Sequence, residues 1–197
     1  MIVDKTLSFC PHCSNIVKKA KVISCLITRA FISRDPEVLL KAFLVYVRPI
    51  LEYASVVWNP YLIKDISAIE SVQRRFTKKI LANKTLTYAQ RLKHFSVESL
   101  EKRRLVYDLS LMYSIVKCNI LPFHDFFTGN ENPTRNNHPW KMQIQKYHCN
   151  IRKNDFSNRV TNIWNSLPRR IVESHTLKLF LTRLNEFDLM KISLGPL

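Results

Sequence analysis

Glycine is nearly absent from this sequence of 197 residues, which contains only Gly129 and Gly195. Hairpin turns and phosphate-binding loops depend on backbone conformations that glycine permits, so hairpin-rich all-β folds and glycine-lined nucleotide loops are disfavoured. Long hydrophobic runs are missing as well. The longest covers residues 42–47 and ends at Arg48, whereas a membrane-spanning helix needs roughly 20 apolar residues.

Acidic residues are also in short supply. The chain has 31 Lys and Arg against 15 Asp and Glu, which gives a formal net charge of +16 and an isoelectric point near 9.9. An excess of this size predicts an anionic partner, and the usual ones are nucleic acid and anionic membrane surfaces. The length is sufficient for one domain or two small ones with a hydrophobic core.

The five cysteines are an odd number. Because Asp4 and Lys5 precede any long apolar stretch, the N-terminal residues lack the pattern of a secretory signal. We therefore predict an intracellular protein, nuclear or cytoplasmic, with reduced thiols. Cys10 and Cys13 have the spacing of a zinc or redox pair, but no second such pair follows, so thiols without metal chemistry are the simpler interpretation. No cofactor is predicted for this chain.

The stretch of residues 38–80 organises the rest of the chain. Residues 38–58 are apolar on nearly every face, which predicts a buried helix that Pro49 kinks or splits and that Asn59-Pro60 ends. Residues 62–80 predict an amphipathic helix with a basic outer face. Its apolar side consists of Leu62, Ile66, Ile69, Val72, Phe76 and Ile80, and its basic side of Arg74, Arg75, Lys78 and Lys79.

Further helices are predicted over residues 4–30, 87–94, 97–118, 156–167 and 176–189. Thr87 and Gln90 have capping-box form, Ser96 is the expected cap of the third of these helices, and Pro168 ends the fourth. Trp164 lies on an apolar helical face, so it is interpreted as a core residue and not as a base-stacking one.

These elements predict a mainly α protein. We expect a multi-helix bundle with a short irregular or β-hairpin insertion and a C-terminal helical pair. Residues 1–118 form the helical domain, residues 119–153 a loop or short β-hairpin, and residues 154–197 the C-terminal helices that pack on the bundle.

Basic residues concentrate in two clusters. Residues 74–104 contain ten Lys and Arg, two Glu and no Asp. A single basic run is typical of a solvated helix face, but two runs in neighbouring helices with so few acids between them favour phosphate contacts. The predicted nucleic-acid-binding residues are Arg74, Arg75, Lys78 and Lys79, with Lys102, Arg103 and Arg104 as a second set.

Residues 39–80, LLKAFLVYVRPILEYASVVWNPYLIKDISAIESVQRRFTKKI, resemble the segment after the polymerase palm in reverse transcriptases of non-LTR retrotransposons, the jockey-like LINE-type elements. The resemblance continues through YAQRL, VESLEKRRLVYDL and RKNDFSNRVTNIWNSLP, and it begins upstream at residues 4–20. It departs from the family pattern at residues 134–138, where Thr134 and Arg135 are followed by two asparagines instead of a glycine.

The resemblance implies a thumb-like domain and the C-terminal region of such a polymerase, bound to the backbone of RNA or an RNA–DNA hybrid. In that family, magnesium ions and clustered aspartates belong to the palm, which would be a partner of this chain. None of the seven aspartates here is closer to another than Asp108 is to Asp125. We therefore predict no catalytic residue and no polymerase activity from this chain alone.

A different class of function stays open. The chain could be an α-helical protein-interaction domain whose charge serves solubility, or a decayed or domesticated transposon remnant without a nucleic-acid role.

Overall fold

The structure is a computed structural model that describes residues 1–5, 8–81, 85–129 and 140–189. Within these ranges the regular elements are helices and no strand occurs, which confirms the predicted mainly α fold. The helices are α1 (Cys10–Ala30), α2 (Pro36–Tyr46), α3 (Arg48–Glu52), α4 (Ser55–Trp58), α5 (Ile63–Ile80), α6 (Tyr88–His94), α7 (Leu100–Cys118), α8 (Phe123–Phe126), α9 (Asn150–Lys153), α10 (Phe156–Ser166), α11 (Arg169–Val172) and α12 (Leu177–Glu186).

The chain divides into two compact units, Met1–Arg104 and Leu105–Leu197, referred to below as unit 1 and unit 2. Each unit has a hydrophobic core of its own. The division falls inside α7, whereas the sequence-based division places residues 1–118 in one domain and begins another at residue 154. None of the helices in the described ranges has the length and apolar character needed to cross a bilayer.

Unit 1 is built on the packing of α1 against α5, which is the most extensive contact between helices in the described part of the chain. Val17 and Ala20 of α1 are buried, as are Val72 and Phe76 of α5. The predicted start of the first helix at residue 4 is wrong, since α1 begins at Cys10. Pro11 explains the difference, because proline is favoured in the first turn of a helix and disrupts its interior.

Residues 38–58 are split into α2, α3 and α4. Pro49 predicts the break between α2 and α3, whereas the break before α4 lies at Ala54, which has a left-handed backbone with φ of 53°. Pro49 lies in the first turn of α3, and α4 ends at Trp58, directly before Asn59-Pro60. The prediction that residues 38–58 are buried on nearly every face is wrong, however. Leu51 and Trp58 are buried, but Tyr53 is 82% exposed.

Two further helix starts in unit 1 are predicted from local sequence signals, and one of the two predictions is correct. The capping box before α6 is present, with Thr87 and Gln90 bonded reciprocally. The predicted cap of α7 is wrong, because α7 begins at Leu100 and Ser96 has a left-handed backbone with φ of 52°. Ser99 takes that role instead, since its hydroxyl accepts the Lys102 N–H at 3.2 Å.

Unit 2 packs around α7, α10 and α12. Trp164 of α10 is fully buried, and its indole N–H donates to the Trp140 carbonyl at 2.8 Å. Tyr113 of α7 stacks on Phe180 of α12 with ring centroids 4.5 Å apart. The predicted core role of Trp164 is confirmed.

The insertion of residues 119–153 contains the short helices α8 and α9 in its described part. A single antiparallel bridge joins Gly129 to Met142. The predicted loop at Thr134 and Arg135 lies outside the described residues.

Candidate nucleic-acid interface

The outward face of α5 holds the first predicted set of cations. Arg74, Arg75, Lys78 and Lys79 are all exposed, because the opposite side of the helix buries Ile69, Val72, Phe76 and Ile80 in the core. The two acids of α5, Asp65 and Glu70, are buried. The exposed face of the helix is therefore purely cationic among its ionised groups.

None of these four cations forms an ion pair with an acid in the described ranges. Arg74 instead lies over the ring of Tyr88 in α6, with its guanidinium carbon 5.1 Å from the ring centroid. Stacking of this kind orients an arginine and leaves its N–H groups able to donate outward.

Tyr88 is itself held in place by a hydrogen bond to a buried carboxylate. Its hydroxyl donates to the buried Glu70 carboxylate, and burial together with that carboxylate raises the pKa of the Tyr88 phenol, so the phenol stays protonated. Glu70 also accepts the N–H groups of Leu100 and Glu101, each at 3.3 Å. One buried carboxylate thus connects α5, α6 and the start of α7 beneath the Arg74 side chain.

Lys79 is held in place by a contact with α1. Its ammonium donates to the Thr28 hydroxyl of α1 at 2.8 Å. An ammonium has three donors, so two N–H groups of Lys79 stay available to a ligand. Sequence reasoning missed both Tyr88 and Thr28, because each meets its cation through tertiary packing and not through a spacing that the sequence displays.

The second predicted set is placed differently. The Lys102 ammonium pairs with Glu98 at 2.6 Å, and the Arg103 guanidinium makes a two-point contact with Glu52, one of its bonds being 3.0 Å long. Both cations are half-buried and partly neutralised within unit 1.

Arg104 must be removed from the predicted interface. Its side chain is among the largest that are fully buried in the described part of the chain, and it donates to the Asn59 side chain at 3.2 Å. Burial lowers the pKa of its guanidinium, an effect that nearby glutamates oppose. A phosphate in solvent cannot reach it, so Arg104 is a structural residue.

Cys10 and Cys13 do not sit in a recognisable metal centre. Cys13 is 1% exposed, and burial raises the pKa of its thiol to about 12, which disfavours the thiolate that a metal would bind. Within the described ranges no group of three or more metal-ligating side chains comes together.

Comparison with known proteins gives no relative. No protein-family model, no curated protein and no solved structure matches this chain.

Proposed function

We propose that this chain binds the sugar–phosphate backbone of RNA or an RNA–DNA hybrid, without sequence preference, through the outward face of α5. The proposal includes the larger role that the resemblance implies, the thumb-side region of a non-LTR retrotransposon reverse transcriptase. The observation that supports it is the set of four exposed cations that form no ion pair within the described ranges, on a helix whose acids are both buried.

The mechanism is one of positioning. Arginine offers planar, two-point hydrogen bonding to phosphate, and lysine offers a mobile point charge. Contacts of this kind fix the register of a duplex and are largely blind to base sequence. In this proposal the chain holds a primer–template duplex, and a separate palm would supply the aspartates and magnesium ions for the chemistry.

The salt dependence of binding tests the proposal. Four phosphate contacts predict a slope of roughly −4 in a plot of log K against log salt for a fluorescent RNA–DNA hybrid. The double change Arg74→Gln and Lys78→Gln should reduce that slope by about 2, since each lost contact removes roughly one unit. Fluorescence anisotropy across a salt series measures it.

A matched control exists in unit 2. Lys146 and Lys178 are exposed, so their double change to Gln removes the same charge from another surface and should leave the slope unchanged. Equal slopes in all three proteins would exclude the α5 face as the binding site.

A protein-interaction role is the second candidate, favoured by apolar side chains that solvent reaches in unit 1. Tyr53 and Ile63 are each 82% exposed, and Tyr46 is 60% exposed. Single exposed apolar residues are normal, but several in one stretch of chain are typical of docking surfaces. Titration with the hybrid, heparin and an acidic protein at two salt concentrations separates the candidates. A phosphate-binding face should bind the hybrid with a steep salt dependence, whereas a chain that binds the acidic protein and not the hybrid has no nucleic-acid site.

A further inference from the structure

A surface cavity of about 160 Å³ lies between α1 and α5. Lys21 from α1 and Arg75 and Lys79 from α5 line it, and Cys25, Val72 and Phe76 give it a largely apolar floor. Sequence reasoning assigned no role to the α1 side of this groove.

The groove is strongly cationic. All four charged residues of α1 are basic and exposed: Lys18, Lys19, Lys21 and Arg29. Neither Lys21 nor Arg75 forms an ion pair or a side-chain hydrogen bond within the described ranges. Like charges that converge without an acid between them repel each other, and a bound anion relieves that repulsion.

The cations of α1 do not all belong to the groove. Residues three or four apart on a helix share a side, which places Lys18, Lys21 and Cys25 together. Lys19 precedes Lys21 by two residues, a rotation of roughly 200° at 3.6 residues per turn. It therefore faces away from the groove while carrying the same charge on the same helix.

We propose that this groove is a phosphodiester-binding site in which Lys21, Arg75 and Lys79 surround one backbone phosphate and the apolar floor meets the adjoining sugar. This inference rests on the proposed function and extends it to α1. It makes the interface a two-helix surface, with Lys79 fixed by Thr28 of α1.

The polar character of α5 favours nucleic acid over a lipid surface. Between residues 64 and 79 its exposed side chains are all polar or charged: Lys64, Ser67, Arg74, Arg75, Lys78 and Lys79. Interfacial membrane helices insert an apolar face beside their cations. Residues 64–79 of α5 expose no large apolar side chain, and α1 exposes Val22 and Leu26.

The matched pair Lys21→Gln and Lys19→Gln tests the site. Lys21→Gln should weaken binding of a fluorescent RNA–DNA hybrid roughly eightfold at 0.1 M salt and reduce the salt slope by about one unit, the effect of one lost phosphate contact. Lys19→Gln should change affinity less than twofold. Equal losses of affinity in the two variants would mean that only long-range charge matters and would overturn the proposed groove site. Binding of the hybrid by the wild type would still support the proposed function.

A second readout uses the cysteine in the floor. Bound hybrid should slow alkylation of Cys25, measured by peptide mass spectrometry, and leave the exposed Cys118 and Cys149 of unit 2 unaffected. Unchanged alkylation of Cys25 at saturating hybrid would contradict occupation of the groove. Protection by phosphatidylserine vesicles, and not by hybrid, would make the ligand a membrane and overturn the proposal, and a wild type that binds no hybrid would overturn the proposed function itself.

Discussion

Unit 1 has 19 Lys and Arg against 8 Asp and Glu, a net charge of +11, whereas unit 2 has 12 against 7, a net charge of +5. The two units also use their cations in different ways. On α1 and α5 of unit 1, nine Lys and Arg are exposed and both acids are buried. Repulsion among these cations is left uncompensated by acids of the same helices.

Unit 2 uses its arginines to hold its own structure. Arg159 makes two 2.9 Å bonds to the buried Asp108, Arg152 pairs with Asp155, and Arg169 pairs with Glu173. Arg183 donates to the Arg170 carbonyl. Net charge alone therefore does not locate a binding surface; what matters is where cations without an ion pair gather on one helix face, as they do on α5.

Trp164→Ala should cause the largest loss of stability, and it should affect unit 2 without affecting the binding face of unit 1. Removing a buried tryptophan should lower the free energy of unfolding by about 3–5 kcal/mol, because a cavity is left in the core of unit 2 and the bond to the Trp140 carbonyl is lost. Chemical denaturation followed by circular dichroism measures the loss. Trp140→Ala is the comparison: its side chain is 39% exposed and its ring centroid lies 4.1 Å from the Lys117 ammonium, so the loss should be clearly smaller than in Trp164→Ala.

Affinity for an RNA–DNA hybrid should be unchanged in Trp164→Ala under conditions where the variant is folded. A parallel loss of affinity would mean that unit 2 belongs to the interface, and the contrast between the units would fail.

Glu70→Gln perturbs unit 1 by a smaller amount. An amide cannot accept the bonds from Tyr88, Leu100 and Glu101 as a carboxylate does, and hydrogen bonds to a charged group contribute roughly 1.5–3 kcal/mol. We expect a loss of about 2 kcal/mol in the free energy of unfolding. The control is Glu98→Gln, which breaks the partly exposed ion pair with Lys102 and should lower the free energy of unfolding by less than about 1 kcal/mol. Similar losses in both variants would contradict the conclusion that Glu70 connects α5, α6 and α7.

The smallest expected effect is a pH-dependent change in the free energy of unfolding that Cys13 causes in alkaline solution. Because folding raises the pKa of its thiol from 9.0 to about 12, the unfolded state releases this proton first. The thiol's contribution to stability is complete below pH 9 and falls as pH rises toward 12, by up to about 1.4 kcal/mol per pH unit. The difference in unfolding free energy between wild type and Cys13→Ala should therefore shift by about 1.4 kcal/mol between pH 8 and pH 10.

The exposed Cys118 of unit 2 is the counterpart. Cys118→Ala should show no comparable shift over the same pH range, and an equal shift in both variants would contradict the burial of Cys13.

Much of the fold follows from local sequence signals. The 3.6-residue periodicity of residues 62–80 predicts α5 and its basic face, because an amphipathic helix has one buried stripe. Pro49 predicts the division between α2 and α3, and the Thr87–Gln90 capping box predicts the start of α6. These signals act within a few residues of the structure that they determine.

The remaining features depend on residues far apart in the chain. Arg104 belongs to a basic run that is typical of a solvated face, yet tertiary packing places it in the core next to Asn59. The start of α7 depends on Glu70, thirty residues earlier in the chain. The pairing of Lys79 with Thr28 is likewise a result of how α1 packs on α5 and has no signature in the sequence.

The position of the unit boundary inside α7 has a consequence for how this chain could evolve. Domains that are exchanged as modules are usually joined by exposed linkers. Here a gene segment that ended at Arg104 would encode only the first five residues of α7, too few to form a helix without the rest. Recombination at this boundary would damage both segments, so we expect them to be inherited together.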